Sequence, residues 1–289
     1  MPIQQLMLGV GASKKTYLDD AFSTYLWDGS GSSRSINNGI DLSGEGGMVW
    51  IKNRDASENS GLFDTVRGAA KWVVSNNNSA EDTDTNRLSA FNNNGFSLGT
   101  DTMVNNSSAD YASWTFRKAP GFFDVVSYNG SSSAQNISHS LGCQPGMIIV
   151  KKTSGTDDWA VWHKSFDNTA RGNLTLNSTG SVGNDSTIWN DTAPTASVFS
   201  VGQNGVVNEN GATYVAYLFA GGESTAATAR SVDFDGSDDY LAFGDSSDLS
   251  PESGDFTWEA WIKPDSWTGS AWDLVYANHI TNGLFIGKD

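Results

Sequence analysis

Gly47-Met-Val-Trp-Ile-Lys52 and Gly146-Met-Ile-Ile-Val-Lys151 are one six-residue phrase written twice. Each is a short β-branched and aromatic run opened by glycine, which reads as a strand. The flanks repeat as well. Phe22-Ser-Thr-Tyr-Leu-Trp-Asp-Gly29 lines up with Phe123-Asp-Val-Val-Ser-Tyr-Asn-Gly130, and an isoleucine follows seven residues later in both, Ile36 and Ile137. Asp64 with Arg67-Gly68 aligns with Asp167 and Arg171-Gly172, Phe96-Ser-Leu-Gly99 with Phe199-Ser-Val-Gly202, and Tyr111–Phe116 with Tyr214–Phe219. The offset stays between 99 and 104 residues. Six blocks in one order identify two copies of a unit, at 22–118 and 122–220. The period exceeds that of solenoid repeats. Each copy is therefore a small domain of its own or one half of a paired sandwich.

The punctuation between blocks is that of an all-β chain. Asn129-Gly130 and Asn210-Gly211 are strong turn dipeptides. Asn76-Asn-Asn-Ser79, Asn92-Asn-Asn-Gly95 and Ser131-Ser-Ser133 read as turns and loops. Short strands so spaced favour sandwiches or barrels. The one helix candidate is Arg67 to Ser75, and Gly68 weakens it. The expected fold is all-β: two tandem, similar β-sandwich units followed by the first strands of a jelly roll.

Composition narrows the function classes. Eleven tryptophans argue against a disordered chain. Lys and Arg total 17 against 33 Asp and Glu, a net charge of −16. Such a chain repels phosphate backbones and anionic lipid, so no nucleic-acid partner is expected. No apolar run approaches the ~20 residues that span a bilayer, so no membrane insertion is expected. Cys143 is alone, which excludes an internal disulfide scaffold and a cysteine-based zinc site. In Met1-Pro-Ile-Gln-Gln-Leu-Met-Leu-Gly-Val-Gly-Ala-Ser-Lys-Lys15 the lysines follow the apolar stretch, whereas a signal peptide wants them before it. Synthesis in a cytoplasm is the expectation. Residues 1–21 match nothing in the second copy. Residues 221–229 are small and mostly uncharged, a linker. From 221 onward the chain carries 3 basic and 13 acidic residues, a net −10 against −6 before it, so 230–289 is a separate acidic module.

Two resemblances attach to these residues. Ser231-Val-Asp-Phe-Asp-Gly-Ser-Asp-Asp-Tyr-Leu241 followed by Asp255-Phe-Thr-Trp-Glu-Ala-Trp-Ile-Lys-Pro264 resembles the opening of laminin-G-like, concanavalin-A-like jelly rolls. Only the first strands of such a domain fit into 230–289, so the natural protein is expected to continue. The stretches Phe22–Arg54, Leu62–Gly68 and Phe123–Lys152 resemble a unit found in tail-fibre-like virion proteins of tailed phages, especially marine ones, often ahead of a laminin-G-like module. That resemblance implies a virion structural protein, a tail fibre whose N-terminal segment docks on the particle and whose distal module contacts a host-surface glycan. It implies a homotrimer and partners among other virion proteins. A capsid-surface decoration protein uses the same parts. A glycan-degrading enzyme and a bacterial adhesin are the rivals from other classes.

Candidate chemistry is sparse, and no enzyme is expected. His139, His163 and His279 form no local metal motif, no HExxH occurs, and no GxSxG nucleophile elbow is present. The carboxylate strand pattern of the glucanases with this fold is absent. Asp233, Asp235, Asp238 and Asp239 are the candidate calcium ligands, because Ca²⁺ takes several hard oxygens; their spacing is not that of an EF-hand, and they serve equally to cap backbone amides in a turn. Calcium is the only cofactor entertained. Trp27, Trp50, Trp72, Trp114, Trp159 and Trp162 fall in strand-like or repeated blocks and are expected in the core. Trp267 and Trp272, flanked by Ser, Thr and Gly, are the candidate stacking platforms for glycan. Arg67 and Arg171 are expected to tie a loop to a carboxylate.

Overall fold

The structure, a computed structural model, describes residues 18–166 and 171–221, and the backbone of 273–279 and 282–286. The first repeat runs α1 (Leu18–Ala21), β1 (Phe22–Asp28), β2 (Arg34–Asn37), α2 (Leu42–Glu45), β3 (Gly47–Asn53), β4 (Gly61–Asp64), β5 (Lys71–Val74), β6 (Asp82–Thr83), β7 (Leu88–Asn92), β8 (Gly95–Leu98), α3 (Thr102–Asn105) and β9 (Asp110–Arg117). The second runs β10 (Phe123–Asn129), β11 (Gln135–Ser138), β12 (Pro145–Lys152), β13 (Ala160–His163), β14 (Gly172–Thr175), β15 (Gly183–Asn184), β16 (Val198–Val201), α4 (Gly205–Asn208) and β17 (Thr213–Ala220).

The two repeats share one topology. In the first, a six-stranded sheet is ordered β1-β9-β3-β4-β5-β6 and a small sheet β2-β8-β7; in the second, the orders are β10-β17-β12-β13-β14-β15 and β11-β16. Each large sheet packs against its small sheet on one face and, over part of the other, against the large sheet of the other repeat. Alternate residues of a strand point to opposite faces, and the cores follow that parity. Val49 and Ile51 of β3, with Phe63, meet Ile36, Phe96 and Leu98 of the small sheet, while Met48, Trp50 and Leu62 face the other way. In the second repeat Ile148, Val150 and Trp162 meet Ile137, Phe199 and Val201, while Met147, Ile149 and Val161 face the other way.

Those opposite faces meet each other. Met48, Leu62 and Val73 of the first repeat join Phe123, Val125, Ile149, Trp159, Val215 and Tyr217 of the second in a third core. The pair is thus a four-layer β body, small sheet, large sheet, large sheet, small sheet, and the whole span to Thr228 is one compact unit. Each buried Val, Leu, Ile or Met contributes about 1.5–3 kcal/mol, so the shared layer binds the repeats as firmly as a domain interior.

Strand register refines the repeat alignment. Met48 pairs Asp64 where Met147 pairs His163, and Leu62 pairs Val73 where Val161 pairs Leu174. His163 therefore stands where Asp64 does, and Lys71 corresponds to Gly172; the Arg-Gly dipeptides do not superpose. The helix expected at 67–75 is absent: Asp64–Gly68 turns, with Gly68 at φ +97 and Ala70 at φ +68, and Lys71–Val74 is β5. Trp72, Val73 and Val74 are stiff side chains suited to a pleat and here filling both faces of it.

The span from Ala229 is a second unit. Its described part is the antiparallel pair β18 (Asp273–His279) and β19 (Asn282–Ile286).

Candidate functional site

Each repeat is closed by the same locking device. The first turn of the repeat presses against the end of a one-turn helix. Asn105 and Asn208, both fully buried, occupy matching places in it. Asn105 Oδ1 accepts from Ser30 N at 2.9 Å and its Nδ2 donates to Ser32 O at 2.7 Å and Gly99 O at 2.8 Å. Asn208 Oδ1 accepts from Ser131 N at 2.8 Å and its Nδ2 donates to Ser133 O at 2.7 Å and to Gly202 O. The Tyr111 hydroxyl donates to Thr102 O at 2.7 Å, and that of Tyr214 to Gly205 O at 2.6 Å. Trp27 stacks on Tyr111 at 5.5 Å and Tyr128 on Tyr214 at 5.1 Å between centroids. The two asparagines carry no chemistry at an exposed surface. They satisfy backbone groups that burial would otherwise strand.

The seam between repeats holds buried charge. Asp64 is wholly buried; its Oδ1 accepts from Val66 N and Arg67 N, and its Oδ2 from Arg67 Nε at 2.6 Å and the Tyr217 hydroxyl at 2.8 Å. Arg67 also donates to Leu62 O at 3.0 Å, the Tyr217 oxygen at 3.2 Å and Glu81 Oε2 at 3.3 Å. Lys71 completes the chain on Glu81 at 3.0 Å. Burial works against the guanidinium, but Tyr217, Asp64 and Glu81 outweigh it and hold its pKa above the ordinary value. Burial drives the Tyr217 hydroxyl well above its usual range, so it stays a donor. The arrangement is a fixed ion pair serving as a strut.

Beside it, the loop after β5 straps the second repeat. Trp159 Nε1 donates to Val74 O at 2.9 Å and Asn77 O at 3.1 Å, and Glu81 N to Thr153 O at 2.9 Å. Lys151, fully buried, donates to Asp157 O at 2.8 Å and Asn78 O at 3.3 Å. Burial pushes its pKa down to about 8 against the pull of Asp157 and Asp158. An amine so tuned is a nucleophile where a substrate reaches it; this one is enclosed by two carbonyls and the ring of Trp159.

The sequence candidates are placed as follows. Trp27, Trp72, Trp159 and Trp162 are buried, as expected, and Trp50 is half-buried. Trp114 departs from expectation: it is 37% exposed, with its ring 6.2 Å from that of Trp50 at 67° and exposed Leu26 on the same face of the sheet. Arg67 and Arg171 both pair with carboxylates, Arg171 with Asp191 at 2.6 Å on the surface. His139 is buried; burial lowers its pKa, and its Nδ1 accepts from Leu141 N. Cys143 is half-buried against the second repeat's core. Among the described residues no three of His, Cys, Asp and Glu gather as a metal site, and no helix is long and apolar enough to cross a membrane. Asp233, Asp235, Asp238, Asp239, Trp267 and Trp272 lie outside the described residues.

Residues 19–228 match the family described as a domain of unknown function, DUF7483. The chain belongs to that family. The match spans both repeats and ends where the first compact unit ends, so the family's domain is the fused pair. No curated protein and no solved structure matches the chain.

Proposed function

We propose that the chain is a structural and attachment protein of a phage virion, a tail fibre that reaches from the particle to the host surface. Residues 1–21 anchor it to other virion proteins, the fused β body is a stiff spacer, and the module from 230 contacts a host-surface glycan. The chains assemble as a homotrimer, which multiplies weak single contacts. The observation that carries this reading is the seam: two repeats share a core and are cross-braced by hydrogen bonds that Tyr217 donates to Asp64 and accepts from Arg67, and that Lys151 and Trp159 donate to the first repeat. Such a body bears load without hinging between its halves. The motif resemblance of 22–54 and 123–152 to tail-fibre-like proteins supplies the biological setting.

Immunogold labelling of purified particles with antibody to the β body tests it. Label on the tail is the expected result. Label on the capsid shell makes the protein a decoration protein, and particles without the chain overturn the reading. The distal module is tested by binding of the full chain to host polysaccharide, with and without Ca²⁺. Trp267→Ala with Trp272→Ala removes the binding; release of oligosaccharide would make the chain an enzyme instead.

A further inference from the structure

The shared core is built from cross-strand rows that the two repeats have in common. In the first repeat the rows are Phe22-Phe116-Met48, then Thr24-Trp114-Trp50, then Leu26-Ala112-Lys52. In the second they are Phe123-Phe219-Met147, then Val125-Tyr217-Ile149, then Ser127-Val215-Lys151. The phenylalanine rows meet at the seam, where Phe116 lies 5.4 Å from Phe219 and 5.5 Å from Phe123. Beyond that row the repeats part company. Val125, Val215, Tyr217 and Lys151 are fully buried, and Ile149 is 4% exposed. Their counterparts are open: Thr24 is exposed, Trp114 is 37% exposed, and Trp50, Ala112 and Lys52 are half-buried; Leu26, 63% exposed, matches Ser127, which is exposed as well. Lys151 reaches across to the other repeat, whereas Lys52 finds its carbonyls, Ala56 O and Glu58 O, within its own.

We propose that this open face, Trp114 and Leu26 with Trp50 and Thr24, is where a second copy of the chain docks, sheet against sheet. Two observations choose that occupant. The patch continues an interface already built in the molecule, since Phe116 and Met48, two residues along the same strands, are in the shared core. The second-repeat matches of Thr24, Trp114 and Trp50, which are Val125, Tyr217 and Ile149, are covered by a sheet of this same repeat type, so a copy of the chain presents the surface such a face packs against. The face lies on an edge as well: β1 pairs only with β9 among the described residues, and an unpaired edge is a ready template for another strand. A large aromatic residue amid smaller apolar ones is the composition of an interface centre.

The proposal shares with the virion reading only the expectation that chains assemble; a chain monomeric in solution yet present on particles would overturn this proposal and the trimer, and leave the place on the virion standing. The test is sedimentation velocity of the full chain across a concentration series. Wild type associates, and Leu26→Asp and Trp114→Asp each weaken self-association about tenfold or more, with circular dichroism and melting temperature held as checks of the fold. Val66→Asp, at an exposed apolar residue of the β4–β5 turn, leaves association unchanged. Association that survives both patch substitutions overturns the proposal, as does a wild type monomeric throughout. Association that appears only when residues 1–17 are removed assigns the face to that segment and overturns the proposal as well.

Discussion

Lys151 spends its charge on two carbonyl oxygens from different repeats, and burial holds its pKa near 8 where an exposed lysine stands at 10.5. Below pH 8 both native and unfolded chains hold the proton, and the native state carries the full desolvation cost. Between about 8 and 10.5 the unfolded chain still binds a proton that the native chain has released, so stability rises with pH in that window. Urea titrations at pH 7.5 and 10 are expected to give wild type a gain, relative to Lys151→Met, on the order of 2 kcal/mol; parallel profiles would mean the amine is solvated. Individual residues of this kind were poorly legible. The identity of Lys151 is plain in the repeat, matched by Lys52, yet one lysine is enclosed and the other half-open. Likewise Arg67 was expected to bind a carboxylate and does, but its second partner, Tyr217, is 150 residues away. Asn105 and Asn208 are not legible as braces, because an asparagine that braces a turn from inside reads like any loop asparagine. Their equal placement after Gly99 and Gly202 was the available signal.

At the level of elements, strands were legible wherever β-branched and aromatic residues cluster between Gly and Asn, as in β3, β12 and β17. The four one-turn helices among the described residues were not, being too short for a periodic pattern to register. The locking turn shows why particular glycines recur. A Cβ on Gly29 would lie 1.9 Å from Asn106 O, and one on Gly130 2.0 Å from Glu209 O. Both contacts are with backbone that cannot step aside without breaking the lock. Gly130→Ala is therefore expected to cost about 2–3 kcal/mol in chemical denaturation. Gly180→Ala, whose nearest neighbour would be Ser178 Oγ at 3.6 Å, stays within about 0.5 kcal/mol. Equal losses at both sites would sink the close-contact explanation. The misplaced helix at 67–75 belongs to this scale too: Trp72, Val73 and Val74 have faces to fill on both sides, which a surface helix does not offer.

Over the whole molecule, the shared core predicts that the repeats unfold together. Calorimetry of residues 18–228 is expected to show one transition, with the calorimetric and van't Hoff enthalpies in a ratio near one; two resolved transitions would mean that each repeat is a domain by itself. The amino-acid sequence alone determined the duplication, the all-β class and the strands carried by the repeated blocks, because residue type, spacing and turn chemistry are local. Only the tertiary structure decided that the two copies lie face to face, that Tyr217 is sealed under the first repeat, and that Trp114 at the same place is open. The reason is physical: a strand buried on both faces loses the alternation that marks its inner side, so the chain records that a residue is apolar without recording which sheet covers it.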